Sequence, residues 1–269
     1  MLRMTVTALA LTLPLPAAAD DRPVEIVGHR GASHDAPENT VAAVKLAWEQ
    51  RADAAEFDVY LTKDKKVVVI HDKDTKRTAG GVNKVVAEST LAELRTLDVG
   101  TWKGEKYAGE RIPTLAEVLA TVPAGKRVFI EVKPGPEVVP EVLDAMKASG
   151  LPPERTPVIS FHAGVIEAVK KARPELPAYW IVSLNPPKDK APPTAAEVVA
   201  KAKEIRADGL DLSASPALDA EYARVVRAAG LKLYVWTVND IAVARRMVGL
   251  GVDGITTDRP GWLREQLGK

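Results

Sequence analysis

The fold class this sequence predicts is α/β: a (β/α)8 barrel of the TIM type, with a small insertion in the βα loop after the His71 strand. Three observations carry that expectation. Short β-prone apolar runs alternate with stretches of helical periodicity to the C-terminus, the pattern of a parallel sheet with crossover helices. At 269 residues the chain is long for an ordinary domain but normal for one barrel. No glycine-rich phosphate loop follows the first strand, where a doubly wound open sheet would more usually show one.

Taken in order, aliphatic and β-branched runs mark strands at 24–28, 54–60, 67–70, 127–132, 157–161, 178–183, 209–212, 231–236 and 254–257. Apolar residues at helical spacing mark helices at 40–50, 115–120, 137–148, 165–172, 195–205, 217–229, 241–248 and 262–267. Counting 67–70 as an extension of the second strand leaves eight strand–helix units. Thr90-x-x-Glu93 and Thr114-x-x-Glu117 have the spacing of capping boxes. Gly150, Gly230 and Gly251 follow helical stretches, where a left-handed residue closes the last turn.

Residues 73–113 break the rhythm with glycines, charges and one short helical stretch at 91–97, but no convincing core strand. Between a strand and a helix, such a segment is an elaborated loop on the face where barrels place their sites. The polar, proline-rich residues from Asn185 to Pro193 form a second loop of this kind.

The N-terminus has its own character. Arg3 gives a positive start, Thr5 to Leu15 is an uncharged apolar run, and Ala17-Ala18-Ala19 precedes Asp20-Asp21. This is the layout of a cleavable signal peptide over 1–19, leaving 20–269 as a single catalytic domain that is periplasmic or secreted. An uncleaved anchor or a misassigned start is the alternative. The apolar run is too short to span a bilayer comfortably, and no later segment is long and apolar enough.

Hydrophobic residues at 46% and charged residues at 27% exclude disorder by composition. Loss of 1–19 removes only Arg3, so the net charge falls from +1 to 0. That balance gives no reason to expect nucleic acid or an anionic membrane as the main partner. With no cysteine, thiolate metal sites and disulfides are excluded. Any metal needs oxygen or imidazole ligands, and the imidazoles are His29, His34, His71 and His162.

Chemistry-bearing residues gather at strand ends. His29-Arg30 follows the first strand and His71 follows Val67-Val68-Val69-Ile70. Glu56 and Asp58 lie two apart and share a strand face, as do Glu131 and Lys133. Unpaired buried carboxylates are costly, so these acids need cations. Glu56, Asp58 and Glu131 suit a hard divalent ion such as Ca2+ or Mg2+; the alternative is salt bridges to Arg30 and Lys133. Two histidines beside such a set are equipment for metal-assisted acid–base chemistry on a phosphate ester.

Several segments together resemble the glycerophosphodiester phosphodiesterases. They are His29-Arg30-Gly31-Ala32, Pro37-Glu38-Asn39-Thr40, Ala55-Glu56-Phe57-Asp58-Val59, Thr62-Lys63-Asp64 and Val68-Val69-Ile70-His71-Asp72. The match continues through Arg77-Thr78, Ile112-Pro113-Thr114-Leu115, Ile130-Glu131-Val132-Lys133, Trp236-Thr237-Val238-Asn239 and Gly251 to Asp258 with Pro260. The order of these motifs is far more specific than any one of them. Lys65-Lys66 stands where a glycine is common, which marks an altered hairpin turn, and Thr78-Ala79-Gly80-Gly81 also departs from the pattern; neither touches a site position.

The resemblance implies a barrel with an insertion after the His71 strand. It implies a divalent metal on Glu56, Asp58 and Glu131, His29 and His71 as acid and base, and Arg30 and Lys133 on phosphate oxygens. Glu38 lies near the site in the family pattern; an acid favoured at a helix start is the alternative. Phe161 and Trp236 are candidates for an apolar wall against the alcohol group, with Trp102 and Tyr107 of the insertion read as wall or packing. His34 reads as a polar loop residue, and His162 as either a site or a loop histidine.

The implied activity is metal-dependent release of an alcohol and sn-glycerol 3-phosphate from a small glycerophosphodiester. Two alternatives stand beside it: a related barrel enzyme acting on intact or inositol phospholipids, and a non-catalytic phosphodiester-binding protein. Preferred alcohol, metal identity and oligomeric state are not readable from the chain.

Overall fold

The computed structural model describes residues 24–269, so the leader expected at 1–19 lies outside the described residues. The chain forms β1 (Glu25–Gly28), α1 (Val41–Glu49), β2 (Ala54–Leu61), β3 (Val67–Val69), α2 (Leu91–Leu94), α3 (Leu115–Leu119), β4 (Arg127–Val132) and α4 (Val139–Ala148). It continues with β5 (Val158–Ser160), α5 (Ala163–Ala172), β6 (Ala178–Val182), α6 (Ala195–Glu204), β7 (Gly209–Ser213) and α7 (Ala220–Ala228). The last elements are β8 (Lys232–Trp236), α8 (Ile241–Gly249), β9 (Gly254–Thr257) and α9 (Pro260–Gln266).

Parallel pairing runs β1-β9-β8-β7-β6-β5-β4-β2, and β1 pairs again with β2 to close the barrel. The expected fold class is therefore correct. One strand is placed differently. β3 does not extend β2; it folds back antiparallel on it, with Val69 opposite Val59 and Val67 opposite Leu61. The hairpin forms because Thr62 Oγ1 donates to Asp64 Oδ1 at 2.7 Å and accepts the Lys66 N–H at 2.9 Å, while Lys65 adopts φ 59. The count of eight barrel strands is unaffected.

Both anticipated capping boxes form, at Thr90–Glu93 and Thr114–Glu117. Gly150, Gly230 and Gly251 take φ of 71, 78 and 69 after their helices. The main core packs the outer faces of the strands against the helices. A second core fills the barrel with Val27, Ala54, Phe129, Ile159, Tyr179, Ile181 and Tyr234. At the strands' N-terminal end Arg127 pairs with Glu25 at 2.9 Å, while Tyr179 and Tyr234 stack at 5.3 Å. That plug fills the N-terminal end of the barrel.

The insertion builds a small core of its own from Val68, Ile70, Ala79, Val86, Leu94, Leu97, Val99 and Ile112. Its helix is shorter than expected, ending at Leu94. Just beyond, Asp98 accepts backbone N–H groups from Gly100, Thr101 and Gly109, which turns the chain. Tyr107 Oη then donates to the Asp35 carbonyl and Lys103 Nζ to the Ser33 carbonyl, both at 2.7 Å. These two bonds pin the insertion to the loop that follows β1.

Candidate active site

At the C-terminal end of the barrel, His29, Arg30, Glu56, His71, Glu131 and Lys133 line one cavity of about 170 Å3. Phe161 and Trp236 complete its wall as an edge-to-face pair with ring centroids 5.4 Å apart. A larger groove of about 610 Å3 on the outer face shares none of these residues, and its lining includes Lys45, Arg95 and Glu117.

The turn after β1 is set by Gly31, at φ 82, whose α-hydrogen faces the α1 backbone; a Cβ there would lie 2.4 Å from the Ala43 carbonyl carbon. This close approach brings His29 and Arg30 over β2. The Arg30 N–H donates to Glu56 Oε2 at 2.9 Å. Asn39 holds Asp58 from two sides, its Nδ2 donating to Oδ2 at 2.8 Å and its Oδ1 accepting the Asp58 N–H at 3.1 Å.

Glu56, Asp58 and Glu131 are all buried and present carboxylate oxygens within 4.8 Å of one another. Lys133 Nζ stands 3.3 Å from Asp58 Oδ1 and 2.7 Å from Glu131 Oε1, and Arg30 Nε stands 3.4 Å from Asp58 Oδ2. The salt bridges weighed against a metal site therefore exist, yet three acids face only two cations. Burial, then Asp58 and Glu131, push Glu56 well above the usual carboxylate range. Burial and Asp58 raise Glu131 to about 7 against the pull of Lys133. For Asp58, Lys133, Arg30 and His71 outweigh burial and hold it below the usual range. Glu56 Oε1 is buried with no hydrogen-bond partner among the described residues. An all-oxygen cluster short of positive charge is what a hard divalent ion fits.

Each histidine is held from behind by an acid. His29 Nδ1 meets Asp258 Oδ1 at 2.6 Å, and His71 Nδ1 meets Asp72 Oδ1 at 2.7 Å. A carboxylate only accepts, so the neutral ring carries its proton on Nδ1 and leaves Nε2 available. Asp258 is fixed in turn by Ser33 Oγ at 3.0 Å and Asn239 Nδ2 at 2.6 Å. Although burial opposes it, the His29 hydrogen bond and charge bring Asp258 down to about 2. Burial, aided by Arg30 and Lys133 and opposed by Asp58, lowers His71.

Glu38 does not open a helix: α1 begins at Val41 behind the Thr40 cap, with no acid in its first turn. It stands beside Arg30 instead, accepting from Arg30 Nη1 at 2.8 Å and from Arg77 Nη1 and Nη2 at 2.6 and 2.9 Å. Arg77 also donates from Nε to Asp72 at 2.7 Å, so the insertion braces Arg30 and His71 together. His34 pairs with Asp35 on the surface and His162 stands at the start of α5 without a side-chain cap bond; neither lines the cavity. Trp102 and Tyr107 are likewise outside it, donating instead to the carbonyls of Val99 and Asp35.

Four supporting residues lay inside the motifs quoted from the sequence without a role: Asp72, Arg77, Asn239 and Asp258. A fifth, Asp211, was hidden within an apolar strand and lines the cavity. Its signal was the one that marked Glu56 and Asp58, an acid in the middle of a buried run.

The model of the glycerophosphoryl diester phosphodiesterase family matches residues 29–262, a span that holds all ten of the site residues expected from sequence. The chain belongs to that family. A glycerophosphodiester phosphodiesterase of Caldanaerobacter subterraneus is 37% identical over 242 residues, covering 87% of this chain and 94% of that protein. One from Bacillus subtilis is 33% identical over 254 residues, covering 87% and 83%. Among solved structures, a phosphodiesterase of Oleispira antarctica in complex with its product sn-glycerol-3-phosphate superposes with a TM-score of 0.81 at 29% identity, covering 91% and 97%. As a member of the glycerophosphodiester phosphodiesterase family this chain is a phosphoric diester hydrolase, and glycerophosphodiesters are its substrate class.

Proposed function

We propose that the protein hydrolyses glycerophosphodiesters in a metal-dependent reaction, with His29 and His71 as the acid–base pair and sn-glycerol 3-phosphate as product. The observation that carries this reading is that two Nδ1-anchored histidines share one cavity with Glu56 and Glu131, two members of the buried acid cluster that Asp58 completes. The product bound to the Oleispira relative supports the same product here. Glu56, Asp58 and Glu131 would hold Ca2+ or Mg2+, which when bound would supply Lewis-acid stabilisation of the phosphodiester's negative charge.

Arg30 and Lys133 bind the non-bridging phosphate oxygens and reduce repulsion toward an incoming oxygen nucleophile. Glu38 and Arg77 keep the Arg30 guanidinium aimed at that phosphate. His71, whose burial favours the neutral ring, accepts the nucleophile's proton at Nε2. His29, whose Nδ1 is held by Asp258, donates a proton from Nε2 to the leaving alcohol. Phe161 and Trp236 face that alcohol and exclude water from it. The N-terminal leader read over 1–19 supports an exported, periplasmic or secreted enzyme.

The test is incubation of the mature protein with glycerophosphocholine and glycerophosphoethanolamine, with Ca2+ or Mg2+ and with chelator. Metal-dependent release of glycerol 3-phosphate is expected. Cleavage restricted to intact or inositol phospholipid, or binding without turnover, would refute the proposal.

A further inference from the structure

Asp211 occupies the middle of β7, in register with Ile181 of β6 and Tyr234 of β8. With Ile159 and Ile181 it forms a buried wall of the catalytic cavity, and it is 4% exposed. Among the described residues no hydrogen bond or ion pair reaches its carboxyl, and Oδ1 is buried without a partner. It stands outside the trio of acids whose oxygens converge within 4.8 Å. Its own backbone carbonyl accepts from Trp236 Nε1 at 3.1 Å, which seats the indole directly beside it.

A buried carboxyl with nothing to bond is costly, and native cores seldom retain one without use. Burial, reinforced by the nearby Glu131, pushes Asp211 well above the usual range, which favours the protonated acid. A protonated carboxyl offers one O–H donor and one carbonyl acceptor, the complement of an alcohol hydroxyl. Being neutral, it does not repel a phosphate held by Arg30 and Lys133. An ammonium group would call for an ionised acid instead, and the exposed Phe161 at the mouth is where a variable alcohol is accommodated. The deep wall suits the part common to all glycerophosphodiesters.

We infer that Asp211 recognises a hydroxyl of the substrate's glycerol moiety and so selects glycerophosphodiesters over diesters that lack it. This rests on the hydrolase reading of the same cavity. A site built to bond a hydroxyl discriminates strongly against the analogue lacking it, because its own polar group is left unpaired.

The experiment compares binding of sn-glycerol 3-phosphate and n-propyl phosphate, which has the same carbon chain without hydroxyls, to metal-loaded wild type, Asp211→Leu and Asp211→Ala. Calorimetry reads the affinities, and thermal melting checks the fold. Wild type is expected to prefer glycerol 3-phosphate by at least about tenfold. Both variants should fold and lose most of that preference. Asp211→Asn, which keeps a neutral donor and acceptor, should retain part of it.

Unchanged preference in Asp211→Leu and Asp211→Ala would overturn the inference. So would a selective rise in KM for glycerophosphocholine over glycerophosphoglycerol with the glycerol preference intact, since the acid would then face the leaving alcohol. Failure of both variants to fold would mark a structural role and overturn it as well. Failure of the hydrolase reading looks different: wild type would neither hydrolyse glycerophosphocholine nor bind either monoester, and both ideas would fall together.

Discussion

His29 and Asp258, 229 positions apart in the chain, meet at 2.6 Å through Nδ1 and Oδ1. The contact exists because β1 and β9 are neighbours in the closed barrel, with Gly28 in register with Thr257. It fixes which ring nitrogen of His29 carries the proton. Asp258→Asn is expected to lower kcat by about 100-fold or more while leaving KM within a few-fold, because tautomer control acts on the proton transfer. Steady-state kinetics on glycerophosphocholine check this; an unchanged kcat would remove Asp258 from the mechanism.

His29→Ala and His71→Ala should each reduce turnover by roughly 100- to 10,000-fold, the range associated with loss of a positioned acid or base. Both side chains are partly exposed at the cavity, so circular dichroism and melting should remain near wild type. Near-normal turnover in either folded variant contradicts the assignment.

The acid cluster makes metal binding a stability measurement. Glu56 and Glu131 have pKa values raised on folding, so the stability they contribute is fully present below their ordinary value and is lost as pH rises through the folded value, about 7 for Glu131. At pH 8 a divalent ion should restore it. With the ion at 100 times its Kd, the gain is about 2.7 kcal/mol, or roughly 5–10 °C in Tm for a domain of this size. The shift should shrink at pH 5 and disappear in Glu56→Gln with Glu131→Gln. Differential scanning fluorimetry with Ca2+, Mg2+ and chelator reads the result.

Arg77 reaches from the insertion to Glu38 and Asp72, yet its side chain is 44% exposed. Exposed ion pairs add little to stability, so Arg77→Ala should change the unfolding free energy by less than about 1 kcal/mol. Losing the brace on Arg30 and His71 should nonetheless reduce kcat/KM by about tenfold or more. A large fall in Tm with unchanged kcat/KM would show a purely structural residue.

Gly31→Ala combines a left-handed backbone with a Cβ placed 2.4 Å from the α1 backbone at Ala43. Strain and overpacking together should cost about 2–4 kcal/mol, lowering Tm by roughly 5–15 °C. Thermal melting of the purified variant checks this.

Much was legible from the chain because it depends on local spacing. Alternation of runs identified the barrel, and same-face pairs such as Glu56 with Asp58 identified the acids, since strand geometry converts a separation of two into a shared direction. The capping boxes at Thr90 and Thr114 are equally local, each a side chain bonding within its own turn. A hairpin turn at Lys65-Lys66 is legible, but Val67 to Val69 reads the same whether it prolongs β2 or folds back on it, and the antiparallel register comes only from the structure. From the chain Glu38 fits both a place near the site and a helix start, for a related reason. Its true partner, Arg77, is 39 residues away.

By itself, the sequence determined the fold class, the end of the barrel that carries chemistry, and the identities of the acids and histidines there. These follow from residue type and short-range periodicity. Tertiary structure alone decided which acid stands behind each histidine, that three buried carboxylates share two cations, and that Asp211 has no partner among the described residues. Those properties arise from barrel closure and burial, which join distant strands and remove water, and no spacing along the chain encodes them.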